Sequence, residues 1–120
     1  MYQEFSKWLE RVLALGLPDE IIAVHFNLYE EANHNWSIQF VGTGSFDEED
    51  EDWACDEVFS TGEDLYRWKK DTDWESALRE GAHMVQEYLA KGAYADMLKK
   101  YQAVGIGFVD GDIEVLYRNF

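Results

Sequence analysis

Between residues 22 and 40 the apolar side chains fall on alternate positions. Ile22, Val24, Phe26 and Leu28 are separated by Ala23, His25 and Asn27; further on, Trp36, Ile38 and Phe40 are separated by Ser37 and Gln39. A period of two puts one face of an extended strand in a core and the other outside it. Joined by the polar stretch Glu30–Asn35, the two runs predict an antiparallel hairpin with a loop of about six residues. This constrains the rest of the chain, because a sheet with one apolar face must be covered by another layer.

Helical periods elsewhere can supply that layer. Phe5, Trp8, Leu9, Val12 and Leu13 recur at three- and four-residue steps, with charged residues between them, and Gly16 and Pro18 then stop the helix. A second helix opens on a capping box of Thr72 and Glu75, or on Asp73 as the alternative cap. It carries Trp74, Ala77, Leu78, Gly81, Ala82, Val85, Tyr88 and Leu89 along one side and ends or bends at Gly92. Gly81 costs about 1 kcal/mol relative to Ala inside a helix. Its place on the apolar side suggests close packing of helix on sheet. Tyr94, Met97, Leu98 and Tyr101 continue as a short helical piece, with Lys99 and Lys100 near its C-terminus.

Three or four further strands complete the order. Trp53–Phe59 predicts a third strand, and Leu65, Tyr66 and Trp68 predict either a short fourth strand or a helical turn. Ala103–Val109 and Asp112–Arg118 flank Asp110-Gly111, the pair favoured where a type I′ turn needs positive φ at both central residues. The expected fold is α+β, in the order α-β-β-β-(β)-α-α-β-β. It comprises an antiparallel sheet of about five to six strands with helices packed on one face, in one domain spanning residues 1–120.

Charge narrows the function. There are 25 acidic and 10 basic side chains, a net charge of −15. Residues 1–66 hold 16 acids and 2 bases, and no basic residue lies between Arg11 and Arg67. Nucleic-acid binding runs on phosphate neutralisation by Lys and Arg, and anionic membranes attract the same side chains, so neither partner is expected. An apolar fraction of 47% with five Trp is not the composition of a disordered acidic tail. The first residues lack the basic and apolar regions of a signal peptide, and the lone Cys55 offers no internal disulfide, so a cytoplasmic location is expected.

The residues do not assemble a catalytic set. Cys55 lies among Asp52, Asp56 and Glu57, which disfavour the thiolate that nucleophilic chemistry needs. His25, His34 and His83 have no recognised partner, and each is expected to be satisfied or solvent-exposed. Gly42-Thr43-Gly44 and Gly105-Ile106-Gly107 do not form phosphate cradles. In the EF-hand pattern the sixth and twelfth positions counted from Asp47 should be Gly and Glu, but they are Asp52 and Val58. No catalytic residue, metal site or cofactor is expected.

What remains is the run Asp47, Glu48, Glu49, Asp50, Glu51 and Asp52, followed by Trp53, Asp56 and Glu57. Six consecutive like charges repel one another and give the fold nothing, whereas a basic protein partner would be steered by them. An aromatic beside charges is a common hot-spot composition. These nine residues are the candidate partner contacts, with Trp53 as either the anchor or a core-facing strand residue. The competing readings are a structural or regulatory module whose acidity serves solubility and an enzyme holding a divalent metal by carboxylates.

The order of elements also resembles a family. An amphipathic helix ends before Pro18-Asp19-Glu20, the strands IIAVHFNLYEE and WSIQF follow, then a helix, and a hairpin closes on Asp110-Gly111. This is similar to the small acidic immunity proteins encoded beside bacterial secreted toxins, the YezG-like group. The resemblance implies a cytoplasmic protein that binds and blocks a cognate toxin, often a basic nuclease. It assigns no role to an individual residue.

Overall fold

A computed structural model describes residues 1–120. Helix α1, Tyr2–Ala14, buries the five apolar residues that its spacing marks, and Gly16 leaves it at φ 84°. Strands β1, Ala23–Glu31, and β2, Asn35–Thr43, pair over their whole length from Ala23↔Thr43 to Glu31↔Asn35. The ladder therefore extends well into the expected six-residue loop and leaves only Ala32–His34 unpaired. Asn33 and His34 turn the chain with φ of 60° and 61°, and the Asn35 N–H donates to the Ala32 carbonyl at 3.3 Å. Asn and His are among the residues that enter the left-handed region at least cost after glycine.

Two short strands, β3, Glu57–Ser60, and β4, Tyr66–Lys69, pair antiparallel with opposite ends of β2 along the same edge. The segment around Tyr66 is thus a strand. Its Tyr66 and Trp68 rings stack 6.0 Å apart on the helical side. Helix α2, Trp74–Lys91, takes the alternative cap: the Asp73 carboxylate accepts the Ser76 N–H at 2.8 Å. A short helix α3, Ala95–Leu98, then leads to β5, Ala103–Phe108, and β6, Glu114–Arg118.

The sheet is mixed. Its order is β3-β2-β1-β5-β6, with β4 also on β2, and every pair is antiparallel except β1 with β5, which are parallel from Val24↔Val104 to Leu28↔Phe108. The expected all-antiparallel sheet fails at this one pair. The 18 residues of α2 carry the chain back along the sheet, so β5 starts at the same end as β1. A crossover of this kind is what a parallel pair requires.

Both helices cover the face that carries Val24, Phe26, Leu28, Ile38, Phe40, Val104 and Ile106. Phe5 of α1 meets Phe26 at 6.2 Å and Tyr66 edge-on at 5.6 Å. A Cβ at Gly81 would stand 3.2 Å from Ile106 Cδ1 and 3.4 Å from Leu28 Cδ2, so the glycine sits where α2 lies nearest the sheet. Trp74, expected on the buried side of α2, is instead 55% exposed. It is the first residue of the helix and sits beyond the core, with its ring edge-on to Phe108 at 6.2 Å. No helix is long and apolar enough to cross a membrane.

The last hairpin also departs from expectation. The connection runs over five residues, Val109 to Ile113, and neither Asp110 nor Gly111 has positive φ. The turn closes earlier, with the Gly111 N–H on the Phe108 carbonyl at 3.0 Å. Ile113 is drawn out of the ladder because its N–H donates to Glu51 Oε2 at 2.9 Å and its side chain packs against the Trp53 cluster.

Candidate partner-binding face

Helices cover only one side of the sheet. On the other side, alternation turns out Ala23, His25, Asn27 and Tyr29 of β1, Gln39 of β2, and Ala103 and Gly105 of β5. The acidic segment folds over part of this face. Trp53 does not lie in a strand: it belongs to a 3₁₀ turn, Glu51–Cys55, started by Asp50, whose carboxylate accepts the Asp52 N–H at 3.0 Å. Trp53 is 4% exposed and forms a small second core with Ala23 and Ala103, against which Phe46, Ala54, Ile113 and Val115 pack. Its ring lies 5.0 Å from Phe46 and 5.7 Å from His25, edge-on in both cases. A Cβ at Gly105 would stand 3.3 Å from the indole Cη2, so glycine is what lets the ring lie against β5. Trp53 is therefore not a surface anchor; of its two readings, the core-facing one holds, though not as a strand residue.

The acidic residues sort into two groups. Some hold the segment down: Asp47 accepts the Glu49 N–H at 2.9 Å, Glu51 accepts the Ile113 N–H, and Glu48 pairs with Arg118. The Gly44 N–H donates to the Asp56 carbonyl at 2.9 Å, closing the base of the loop. The carboxylates of Glu49, Asp52, Asp56 and Glu57 are exposed and make no hydrogen bond or ion pair within the chain. Arg118 is the only base that reaches the segment. Free Cys55 is exposed beside them.

Next to this rim lies a hollow of about 480 Å³, floored by His25, Asn27, Tyr29 and Gln39 and bordered by Glu51, Asp52, Glu57, Phe108 and Ile113, among others. The floor is one hydrogen-bonded row. His25 Nδ1 lies 2.7 Å from Asn27 Oδ1, Asn27 Nδ2 donates to Gln39 Oε1 at 3.0 Å, and the Tyr29 hydroxyl donates to the same oxygen at 3.0 Å. Gln39 Nε2 ends the row on the Gly62 carbonyl at 2.9 Å. His25 is 2% exposed, and its Nε2 has no partner. Burial pushes its pKa down to about 4, opposed by the bond to Asn27, so the ring is neutral at pH 7.

Beyond the Tyr29–Gln39 bond a second hollow of about 590 Å³ is lined by Glu30, Glu31, Glu63 and Arg67. Arg67 is tied to Glu31 at 3.2 Å. No three His, Cys, Asp or Glu side chains stand together as a metal-binding group.

The sequence marked the acidic rim but missed the row His25-Asn27-Tyr29-Gln39. The signal was there in principle. Alternate polar residues on a strand whose other face is fully apolar place those residues side by side, and the hairpin register adds Gln39 opposite Asn27. His34 and His83, by contrast, are exposed and lie outside the hollow. Comparison of the chain with family models, with curated proteins and with solved structures finds no match.

Proposed function

We propose that the chain is a non-enzymatic acidic binding protein of the immunity-protein or inhibitor kind. It would occupy the cationic groove of a basic protein partner, such as a nuclease-type toxin domain. One observation carries this reading: the acidic segment is pinned to the sheet, and its exposed carboxylates Glu49, Asp52, Asp56 and Glu57 have no base of the chain paired with them. Fixed like charges raise the energy of the free protein and are relieved by a partner of opposite sign. A flexible tail would serve solubility equally well without a second core under Trp53.

The structure sharpens the test. Glu48 and Glu51 hold the segment in place and should be left intact. Replacing Glu49, Asp52, Asp56 and Glu57 together by Lys reverses only the free carboxylates. With the wild-type chain as bait, affinity capture from a lysate of the source organism should retain a basic protein at low salt and release it at high salt. The fourfold variant, with unchanged circular dichroism, should retain none. Equal capture by the variant at low salt would remove this rim as the contact, and capture of nothing by either chain would favour acidity as a solubility device.

A further inference from the structure

Residues 46–56 lie between the end of β2 and the start of β3 and are fastened to the rest of the chain at few points. The polar ties are Glu48 to Arg118, Glu51 Oε2 to the Ile113 N–H, and the Asp56 carbonyl to the Gly44 N–H. The apolar tie is Trp53, and beneath its ring the sheet offers small residues, Ala23, Ala103 and Gly105. The larger core lies on the opposite face of the sheet and takes no residue from this segment. The segment can therefore lift while α1, α2 and the sheet keep their packing. Pieces of structure with few buried apolar contacts are the ones that open locally.

His25 lies under this segment. Its ring is edge-on to Trp53 at 5.7 Å, and a Cβ at Gly105 would stand 3.1 Å from its Cδ2. Nδ1 is 2.7 Å from Asn27 Oδ1, whereas Nε2 is buried without a partner. A protonated imidazole carries an N–H on both nitrogens. With the segment down, the second N–H would have no acceptor and the charge no water, which is costly. With the segment lifted, both needs are met by solvent. The titratable groups nearby are Glu51, Asp52 and Cys55 of the segment, Glu57 of β3 and Tyr29 of β1; they line the neighbouring hollow, and none bonds Nε2. From β5 and the loop after it come Phe108, Val109, Gly111 and Ile113, which do not titrate. The three carboxylates favour a charged ring once water reaches it, so they act for the lifted form.

We propose that residues 46–56 are a strap that lifts from the sheet in acid while the rest of the fold stays closed, with His25 as the group that releases it. This holds whether or not the same segment meets a basic partner. Burial sets the closed-state pKa of His25 at about 4, against 6.5 for the free side chain. Below pH 6.5 the lifted form takes up a proton that the closed form refuses. The opening equilibrium then rises about 20-fold from pH 7 to pH 5.

Two measurements on the full chain test this. The first is amide hydrogen exchange at pH 7 and pH 5, corrected for the intrinsic rate at each pH. Opening at the Ile113 and Gly44 amides, whose acceptors belong to the segment, should rise about 20-fold, and opening in the β1–β2 ladder should not. In His25→Phe the rise should vanish. No rise in the wild type, an equal rise in the variant, or an equal rise in the ladder would overturn the proposal. The second measurement is the ¹⁵N titration of His25 in Glu51→Ala, which cuts one tie of the strap and leaves the imidazole in place. Loss of a nearby negative charge alone would lower the His25 pKa, whereas a looser strap raises it, because opening and protonation are linked in both directions. The pKa should move up. An unchanged or lower value would overturn the coupling of His25 to the strap.

Discussion

His25 ties stability to pH through a single nitrogen. Buried and neutral, it has a folded pKa of about 4 against 6.5 for the free side chain. The unfolded chain takes up this proton below pH 6.5 and the folded chain only near pH 4, so over that interval the unfolded state binds more protons. The contribution is full above pH 6.5 and is lost as the pH falls to 4, up to about 3 kcal/mol. Urea unfolding between pH 7 and 4 should show this slope, and His25→Phe should flatten it. Asp64 acts in the same direction at lower pH: its hydrogen bonds from Arg11, at 2.7 and 2.9 Å, hold its carboxyl below the usual range. That contribution fades only below about pH 4, so the two windows separate. At this scale the sequence was informative about packing and poor about exceptions. The spacing of Phe5, Trp8, Leu9, Val12 and Leu13 marked their burial. The same kind of spacing misplaced Trp74, because periodicity does not say where a helix runs past the edge of the sheet.

Among the elements, the acidic segment is the one whose form least resembles its sequence. Residues 53–59 alternate poorly but are rich in apolar and aromatic side chains, which reads as one strand. Asp50 instead caps a 3₁₀ turn that folds Trp53 under, and only Glu57–Ser60 joins the sheet. Capping by Asp competes with extended structure through local hydrogen bonds, and a seven-residue window does not show which wins. Glu51 is the fastening most open to test. Glu51→Ala removes the acceptor for the Ile113 N–H and should cost about 1–2 kcal/mol. Amide hydrogen exchange at Ile113 should accelerate, and the indole of Trp53 should become more accessible to acrylamide quenching. Protection unchanged at Ile113 would mean that the segment is held by the Trp53 cluster alone. The β1–β2 hairpin was legible because its signal is local, whereas the turn at Asp110-Gly111 was misread because its geometry is set by Glu51, more than 50 residues away in the chain.

Over the whole molecule, the two faces of the sheet divide the labour. One is closed by α1 and α2. The other is half closed by the acidic segment with its six consecutive carboxylates, Asp47 to Asp52. Fold class and element order could be read from local periods. The parallel pairing could not, because nothing in β1 or β5 alone says which way they will meet. That pairing also sets a timetable. Val24 and Val104 are 80 residues apart in the sequence, so a long loop must close before the central ladder forms, and contacts of such separation slow folding. Until β5 arrives, β1 has a bare apolar edge of the kind that pairs with other chains. The carboxylates on either side of Trp53 follow β2 in the sequence and carry their repulsion from the start. Like charges beside an unpaired strand oppose its pairing with other chains, so they are expected to act as gatekeepers during that interval. Replacing Glu49, Asp52, Asp56 and Glu57 by their amides should leave the native fold in place yet lower the soluble yield on refolding, more steeply as the protein concentration rises.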